Sequence, residues 1–264
     1  MASDFITKCD TFAFMKKTVF LIVFLFGCIF LSAQTKITQH YNRTWTGYFN
    51  QTRFSDKWGM WADVQLRSKD DFGGEGMAQL LTRLGLTYYI TDNTKITAGY
   101  AYIVDFPAEG HKNVAVYEHR PWQQIQWHTK YGGNKKMMQW FRLDERYRRK
   151  VLNDDSLADG YSFNWRIRYN FLYEIPFYKN GTDPKSWSFI VNDEVHVNFG
   201  KQIVNNYFDQ NRFFLGFKYQ TGKQSNLQFG YMNWFQQLAA GNRYRNSHVA
   251  RVFFFQNFDL RKKK

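Results

Sequence analysis

Apolar and polar residues alternate along most of the chain after residue 44. The clearest case is residues 163–173, where the odd positions are aromatic or aliphatic and the even positions from Asn164 to Asn170 are polar. A period of two sustained over this length predicts a β-strand with one apolar face. Ordinary strands run about 5–6 residues, whereas about 9–11 tilted residues cross a bilayer. The stretch is therefore long enough to be a transmembrane strand.

The same alternation recurs and predicts 11 candidate strands between Thr44 and Phe258. No stripe with the 3.6-residue period of a helix competes with it. Only in the last run, residues 249–258, does the pattern not show which face points inward. Its three consecutive phenylalanines put apolar side chains at both odd and even positions.

Short turns and longer loops alternate between these strands. The short turns are residues 55–57, 91–93, 131–134 and 221–224, and the longer loops are residues 70–76, 106–113, 152–160, 200–206 and 238–245, with 178–185 as a turn-rich exception. This asymmetry is typical of outer-membrane barrels. It predicts an all-β, closed antiparallel up-and-down transmembrane β-barrel of 10–12 strands.

Twelve strands are favoured, because bacterial single-chain barrels have even strand numbers. Residues 35–43 would supply the twelfth strand. Otherwise this segment threads the lumen, or the count of 11 is one too many.

The N-terminal region has the pattern of a secretory signal peptide. Lys16 and Lys17 precede a 14-residue apolar run from Thr18 to Leu31, and Ser32-Ala33 offers a small-residue cleavage site. The run is short for a membrane helix of about 17–25 residues. We expect residues 1–33 to be a signal peptide, with 1–14 an artefact of start-site choice if Met15 is the true start, and residues 34–264 to form a single barrel domain.

Composition narrows the class further. The mean hydropathy of −0.56 argues against a bundle of transmembrane helices. Both cysteines, Cys9 and Cys28, fall within the predicted leader. The exported chain would then have neither a disulfide framework nor Cys ligands for a metal. The formal charge of +14 could suggest nucleic acid, but export and the scattered basic residues argue against that partner.

Aromatic residues near the strand ends favour a membrane location, because aromatics form girdles at both interfaces. The alternative is ordinary core filling. The residues concerned are Trp45, Trp58, Trp61, Tyr102, Trp122, Trp140, Tyr173, Trp187, Tyr219 and Trp234.

Several motifs resemble a Bacteroidota outer-membrane family known only as domain-of-unknown-function family 2490. They are Arg142-Leu-Asp-Glu-Arg-Tyr147, Asn192-Asp-Glu194-Val, Asp209-Gln-Asn-Arg212-Phe-Phe-Leu-Gly216, Gly230-Tyr-Met-Asn233 and Asn246-Ser-His248. The likeness covers roughly residues 40–258. It implies a barrel fold and an outer-membrane location and supplies no activity.

Strand parity points a set of charged side chains into the lumen, and these are the candidate site residues. They are Asp63, Arg67, Arg83, Glu118, Arg120, Arg142, Asp144, Arg146, Arg166, Arg168, Glu194 and Arg212. Arginine pairs with carboxylates through its planar fork, so these groups can neutralise one another and largely plug the lumen. Because arginine is in excess, they could instead accept a small anion.

We therefore expect a structural or small-ligand-binding barrel in the cell outer membrane. Its partners would be membrane lipid, the insertion machinery during biogenesis and possible small anionic ligands, with no cofactor. The alternatives are a narrow anion-preferring channel, a soluble periplasmic lipocalin-like barrel and an outer-membrane lipid hydrolase. No recognisable catalytic motif supports an enzyme, although His119, His128, His196 and His248 are candidate bases.

Overall fold

The computed structural model describes residues 35–108, 111–177 and 184–261, and the predicted signal peptide lies outside them. The described residues form eleven β-strands and two single 3₁₀ turns, Asp71–Gly73 and Gly132–Asn134. The strands are β1 (Ile37–Arg53), β2 (Trp58–Ser68), β3 (Met77–Tyr89), β4 (Thr94–Asp105), β5 (Val116–Lys130), β6 (Lys136–Val151), β7 (Leu157–Pro176), β8 (Trp187–Phe199), β9 (Phe208–Gly222), β10 (Ser225–Gln237) and β11 (Arg243–Asp259). Within these residues no helix is both long enough and apolar enough to cross a membrane.

The strands close into one barrel in chain order, which confirms the predicted fold class. Consecutive strands pair antiparallel, but β1 and β11 pair in parallel along the whole of residues 37–53 and 243–259. The favoured count of twelve is wrong for the described residues, and so is a purely antiparallel barrel. Residues 37–43 continue β1 instead of forming a strand of their own, and in an odd up-and-down barrel the first and last strands run the same way.

The two ends of the barrel differ as the sequence predicts. The long-loop end carries the start of β1 and the described residues 69–76, 106–108, 111–115, 152–156, 200–207 and 238–242. The short-turn end carries the end of β11 and residues 54–57, 90–93, 131–135 and 223–224, and the longer β7–β8 connection is its exception. Every connection is thus a local hairpin, and only the β1–β11 seam joins distant parts of the chain.

The predicted alternation of the strands is also present. In β3, Leu84 and Leu86 are 63% and 55% exposed on the outer face, whereas Arg83 and Thr87 are buried inside. The ambiguous last strand turns Val249 and Phe253 inward and leaves Val252 on the outer face. The outer surface of the barrel is therefore largely apolar and the inner surface largely polar.

Five of the tryptophans assigned to interfacial girdles lie inside the barrel, and that part of the prediction is wrong. They are Trp45, Trp61, Trp122, Trp140 and Trp234, each at most 8% exposed. Their strand parity matches that of the charged residues: Trp61 shares a face with Asp63, and Trp140 with Arg142. Trp58 and Trp187 do lie on the outer face.

Candidate functional site

Glu118 anchors the first group of charges inside the barrel. Arg146 on the neighbouring strand β6 donates from both Nε and Nη2 to its two carboxylate oxygens, at 2.7 and 2.8 Å. Arg120, two residues along β5, donates from Nε to the same carboxylate at 2.8 Å. The period of two places Glu118 and Arg120 on one face, and the β5–β6 pairing brings Arg146 to them.

A second group links β6, β7, β8 and β9. Arg168 hydrogen-bonds the Glu194 carboxylate and lies 3.5 Å from Asp144. Arg212 approaches the other oxygen of Glu194 at 3.4 Å, and Asp144 reaches back to Arg120 at 3.9 Å. These contacts join the two groups into one.

Asp209 and Arg166 form an ion pair of 3.0 Å, and the His196 ring connects it to the others because it lies 3.1 Å from Glu194 and 3.9 Å from Asp209. We call these residues the lumenal charge network: Glu118, Arg120, Asp144, Arg146, Arg166, Arg168, Glu194, Asp209 and Arg212. It spans strands β5 to β9. Buried charges are costly unless paired, and this network pairs most of them.

All twelve candidate residues lie inside the barrel, eleven of them buried and Arg146 half-buried. Eight belong to the lumenal charge network. Asp63 and Arg83 form a separate bidentate pair, at 2.8 and 3.0 Å. Arg67 and Arg142 have no carboxylate within 4.0 Å among the described residues.

The set of predicted site residues left out further charged side chains of the lumen. Among them are Lys95, Asp105, Glu174, Asp209, Lys218 and Arg251. Parity alone could have found most of them, since Glu174 and Lys218 alternate with apolar residues on β7 and β9. The alternation does not predict that Asp209 points inward, because the β8–β9 register shifts beside it.

The arginines without a carboxylate lie on aromatic rings. The guanidinium carbon of Arg142 is 4.5 Å from the Trp122 ring centroid and 4.8 Å from that of Trp140. That of Arg251 is 3.3 Å from the Phe214 ring. Aromatic faces attract cations, so the inward aromatics hold part of the positive charge that the carboxylates leave unpaired.

The side chains crowd the lumen but leave an internal cavity of about 1060 Å³. All eleven strands contribute to its lining, which includes fifteen Lys and Arg side chains against six Asp and Glu. Ligand pockets usually measure about 300–1,000 Å³. The lumen is thus less completely filled than the expected plug, and its walls are basic.

The candidate bases of an enzyme are dispersed. His119 and His248 lie on outward strand positions, each hydrogen-bonded to a tyrosine. The His196 ring contacts Glu194 and Gln210, whereas Ser188 on the same strand donates to Glu174, so Ser188 and His196 are not paired. Among the described residues no group of three or more His, Cys, Asp or Glu side chains could hold a metal ion.

Comparison with known proteins identifies the family. Residues 42–245 match the model of a family described as protein of unknown function (DUF2490). The chain belongs to this family. No curated protein and no solved structure matches the chain.

The DUF2490 match spans the strands that form the site. It begins within β1 and ends within β11, so it takes in every strand of the lumenal charge network. Family membership brings no activity with it, and the role of the lumen has to be argued from its geometry.

Proposed function

We propose that this DUF2490 protein is an outer-membrane β-barrel that binds a small anionic ligand in its lumen and forms no wide pore. The observation that carries the ligand is the basic lining of the 1060 Å³ cavity, in which Lys and Arg outnumber Asp and Glu fifteen to six. Asp63, Glu118 and Asp144 pair with lining arginines from behind the cavity wall, but even with these three the fifteen Lys and Arg side chains outnumber nine carboxylates. A lumen that served only as an ion-paired plug would need no such excess of positive charge.

The distribution of polarity supports the membrane location. Large apolar side chains such as Leu84, Ile167 and Phe141 are 44–63% exposed on the outer face, and the charged groups are inside. A soluble lipocalin-like barrel needs the opposite arrangement. In hydrocarbon a sheet must also be closed, because every backbone polar group has to be paired internally, and this sheet closes through the β1–β11 seam.

The location can be tested by fractionating cells and running the membrane protein on a gel with and without boiling. We expect the exported barrel in the outer-membrane fraction, migrating faster when unheated because the closed barrel resists detergent. Recovery as a soluble periplasmic protein without detergent would contradict the proposal.

A narrow anion-preferring channel is the second candidate, because the cavity is lined from Asp70 near the long-loop end to Asn257 near the short-turn end. Planar-bilayer recording in a salt gradient distinguishes the two. We expect closed records or small currents whose reversal potential favours anions, since a basic lining repels cations. Large, steady, cation-selective openings would contradict both candidates.

A further inference from the structure

Two arginines and two tryptophans form a distinct cluster inside the barrel. The guanidinium carbon of Arg67 lies 3.8 Å from the Trp45 ring centroid and 5.3 Å from that of Trp234, and that of Arg212 lies 4.8 and 5.2 Å from the same rings. The strands β1, β2, β9 and β10 each supply one of these residues. We call the four residues the anion cage.

The tryptophans of the cage are held in place by their own hydrogen bonds. Trp45 Nε1 donates to Gln65 Oε1 at 3.1 Å, and Trp234 Nε1 donates to Gln210. The rings can therefore support the guanidinium groups through their π-faces without rearranging. A guanidinium packed on a ring keeps its N–H groups in its own plane, where they can meet a ligand.

Two of those N–H groups, one on each arginine, have no partner. Arg67 is 8% exposed and Arg212 6% exposed, both line the cavity, and the Nε atom of each is buried without a hydrogen bond. Leaving a buried charged donor unpaired is costly. Arg67 donates to no other described side chain, whereas Arg212 shares Glu194 with Arg168.

The charge around the cage is also unbalanced. The lumenal charge network holds five arginines against four carboxylates, and Arg67 adds a sixth guanidinium. Arg212, Arg120 and Arg168 repel Arg67 most strongly, and Asp105, the carboxylate that attracts it, is already paired with Arg148 at 3.1 Å. Six guanidinium groups against four carboxylates leave two positive charges uncompensated.

We propose that the anion cage binds a divalent tetrahedral oxyanion, of the phosphate or sulfate type. Two negative charges would balance the excess, and oxygens that point in several directions could meet N–H groups from arginines on two different strands. A carboxylate is planar and carries one charge, so it would leave one guanidinium uncompensated. This inference rests on the proposed function, because it gives the lumenal ligand a chemical class.

The test is isothermal titration calorimetry on the full-length chain, purified in non-ionic detergent and in buffers free of phosphate and sulfate, at constant ionic strength. Inorganic phosphate, sulfate and acetate are titrated separately. We expect phosphate and sulfate to bind and acetate to bind at least about tenfold more weakly, because it forms fewer charge-assisted hydrogen bonds. The comparison of phosphate with sulfate decides between those two ligands.

Variants then locate the site. Arg67→Gln and Arg212→Gln should each weaken phosphate and sulfate binding by about tenfold or more. Lys95→Gln is the matched control, because it removes one lumenal positive charge that contacts Gln51, away from the cage. We expect it to change affinity by less than about twofold at moderate salt. If Arg67→Gln fails to fold, Arg67→Lys keeps the charge and loses the fork, and it should still weaken binding.

The outcomes separate this inference from the proposed function. Equal affinity for acetate and the divalent anions, or unchanged binding in Arg67→Gln and Arg212→Gln, would overturn the anion cage and leave a lumenal anion site elsewhere. The absence of binding by any of the three anions would overturn both.

Discussion

Arg83 and Arg142 are both buried in the lumen, but different neighbours hold them. Arg83 makes a bidentate ion pair with Asp63. Arg142 lies between Trp122 and Trp140 and donates to Gln124 Oε1 at 2.8 Å. Removing Arg83 would leave the buried Asp63 carboxylate without its counter-charge. Removing Arg142 would leave no carboxylate unpaired, because Arg142 forms no ion pair among the described residues.

We therefore expect Arg83→Leu to destabilise the barrel by about 3 kcal/mol or more, as for other broken buried pairs. Arg142→Leu should cost clearly less, because a leucine can still pack between the two rings. The midpoint of unfolding, followed by gel mobility after stepwise heating, measures both. Similar midpoints for the two variants would contradict the assignment of Arg83 as the ion-paired residue.

At this scale, strand parity is enough to place every predicted charged residue inside the barrel, because a period of two assigns each side chain to a face. It cannot say which charges pair. Arg146 reaches Glu118 only through the β5–β6 register, and Glu194 is shared by Arg168 on one neighbouring strand and Arg212 on the other. Strand parity also places the five buried tryptophans inside the barrel. Their assignment to the interfacial girdle rests only on their being aromatic and lying near strand ends.

Pairs of facing glycines are a feature of the strands themselves. Gly85 on β3 lies opposite Gly99 on β4, and Gly216 on β9 lies opposite Gly230 on β10. A Cβ atom at Gly99 would come within 2.1 Å of the Leu84 carbonyl oxygen and 2.6 Å of the Gly85 Cα. One at Gly85 would come within 2.9 Å of the Trp122 ring, so this pair makes room for an inward tryptophan.

Gly99→Ala should accordingly lower the unfolding midpoint, with a cost of about 1–3 kcal/mol, typical of overpacking. Gly132→Ala is the control, because a Cβ at this turn residue meets no atom within 4 Å. The same heating assay measures both variants. If Gly99→Ala unfolded at the wild-type midpoint, the close approach of β3 and β4 would not constrain the barrel.

The first half of β1 depends on a loop. The β1–β2 ladder begins only at Trp45. The β1 residues just before Trp45 contact the β2–β3 loop instead. Asn42 N–H donates to Asp70 Oδ1 at 2.5 Å, and Thr44 Oγ1 donates to the Phe72 carbonyl at 2.9 Å. This loop therefore satisfies groups of β1 that β2 is too short to reach.

The Asp70 carboxylate gives that contact a pH dependence. Hydrogen bonds from the backbone N–H groups of Asn42 and Asp71 lower the pKa of Asp70 below its ordinary value of 3.8. A lowered folded-state pKa means that the stabilisation is fully present above pH 3.8 and is lost as the pH falls through the folded value.

We expect hydrogen exchange at the Asn42 amide, corrected for the intrinsic rate, to accelerate as the pH is lowered through the folded-state pKa of Asp70. Asp70→Asn, which removes the charge at every pH, should show weaker protection and no such pH dependence. Protection that is the same in both proteins at neutral pH would mean that the loop does not hold β1.

For the molecule as a whole, the parallel seam between β1 and β11 decides the strand count. It pairs Thr46 with Val252, two residues on the outer face, across about two hundred positions of sequence. The alternation and loop asymmetry predict the barrel and its two ends. The alternation itself gives eleven candidate strands, and the preference for twelve comes only from the rule that such barrels have even strand numbers. No local signal in the sequence shows that β1 and β11 pair in parallel.

A disulfide can test the seam. Because both native cysteines lie in the predicted leader, the exported variant Thr46→Cys/Val252→Cys should carry only the two new thiols. They should cross-link on oxidation of the folded barrel, because Thr46 and Val252 are paired across the seam. Thr46→Cys with Leu227→Cys, on the strand beyond β11, is the control and should stay reduced. Failure of the first pair in heat-resistant barrels would indicate that another strand lies between β1 and β11.

The odd number of strands also restricts how such a barrel could have arisen. Duplicating or deleting a β-hairpin changes the strand number by two, so it always preserves parity. A barrel of eleven strands cannot descend from an even-numbered ancestor by hairpin steps alone. Descent from an even-numbered ancestor would require the gain or loss of a single strand, and the β1–β11 seam, where the ladder changes from antiparallel to parallel, is where that event would have left its mark.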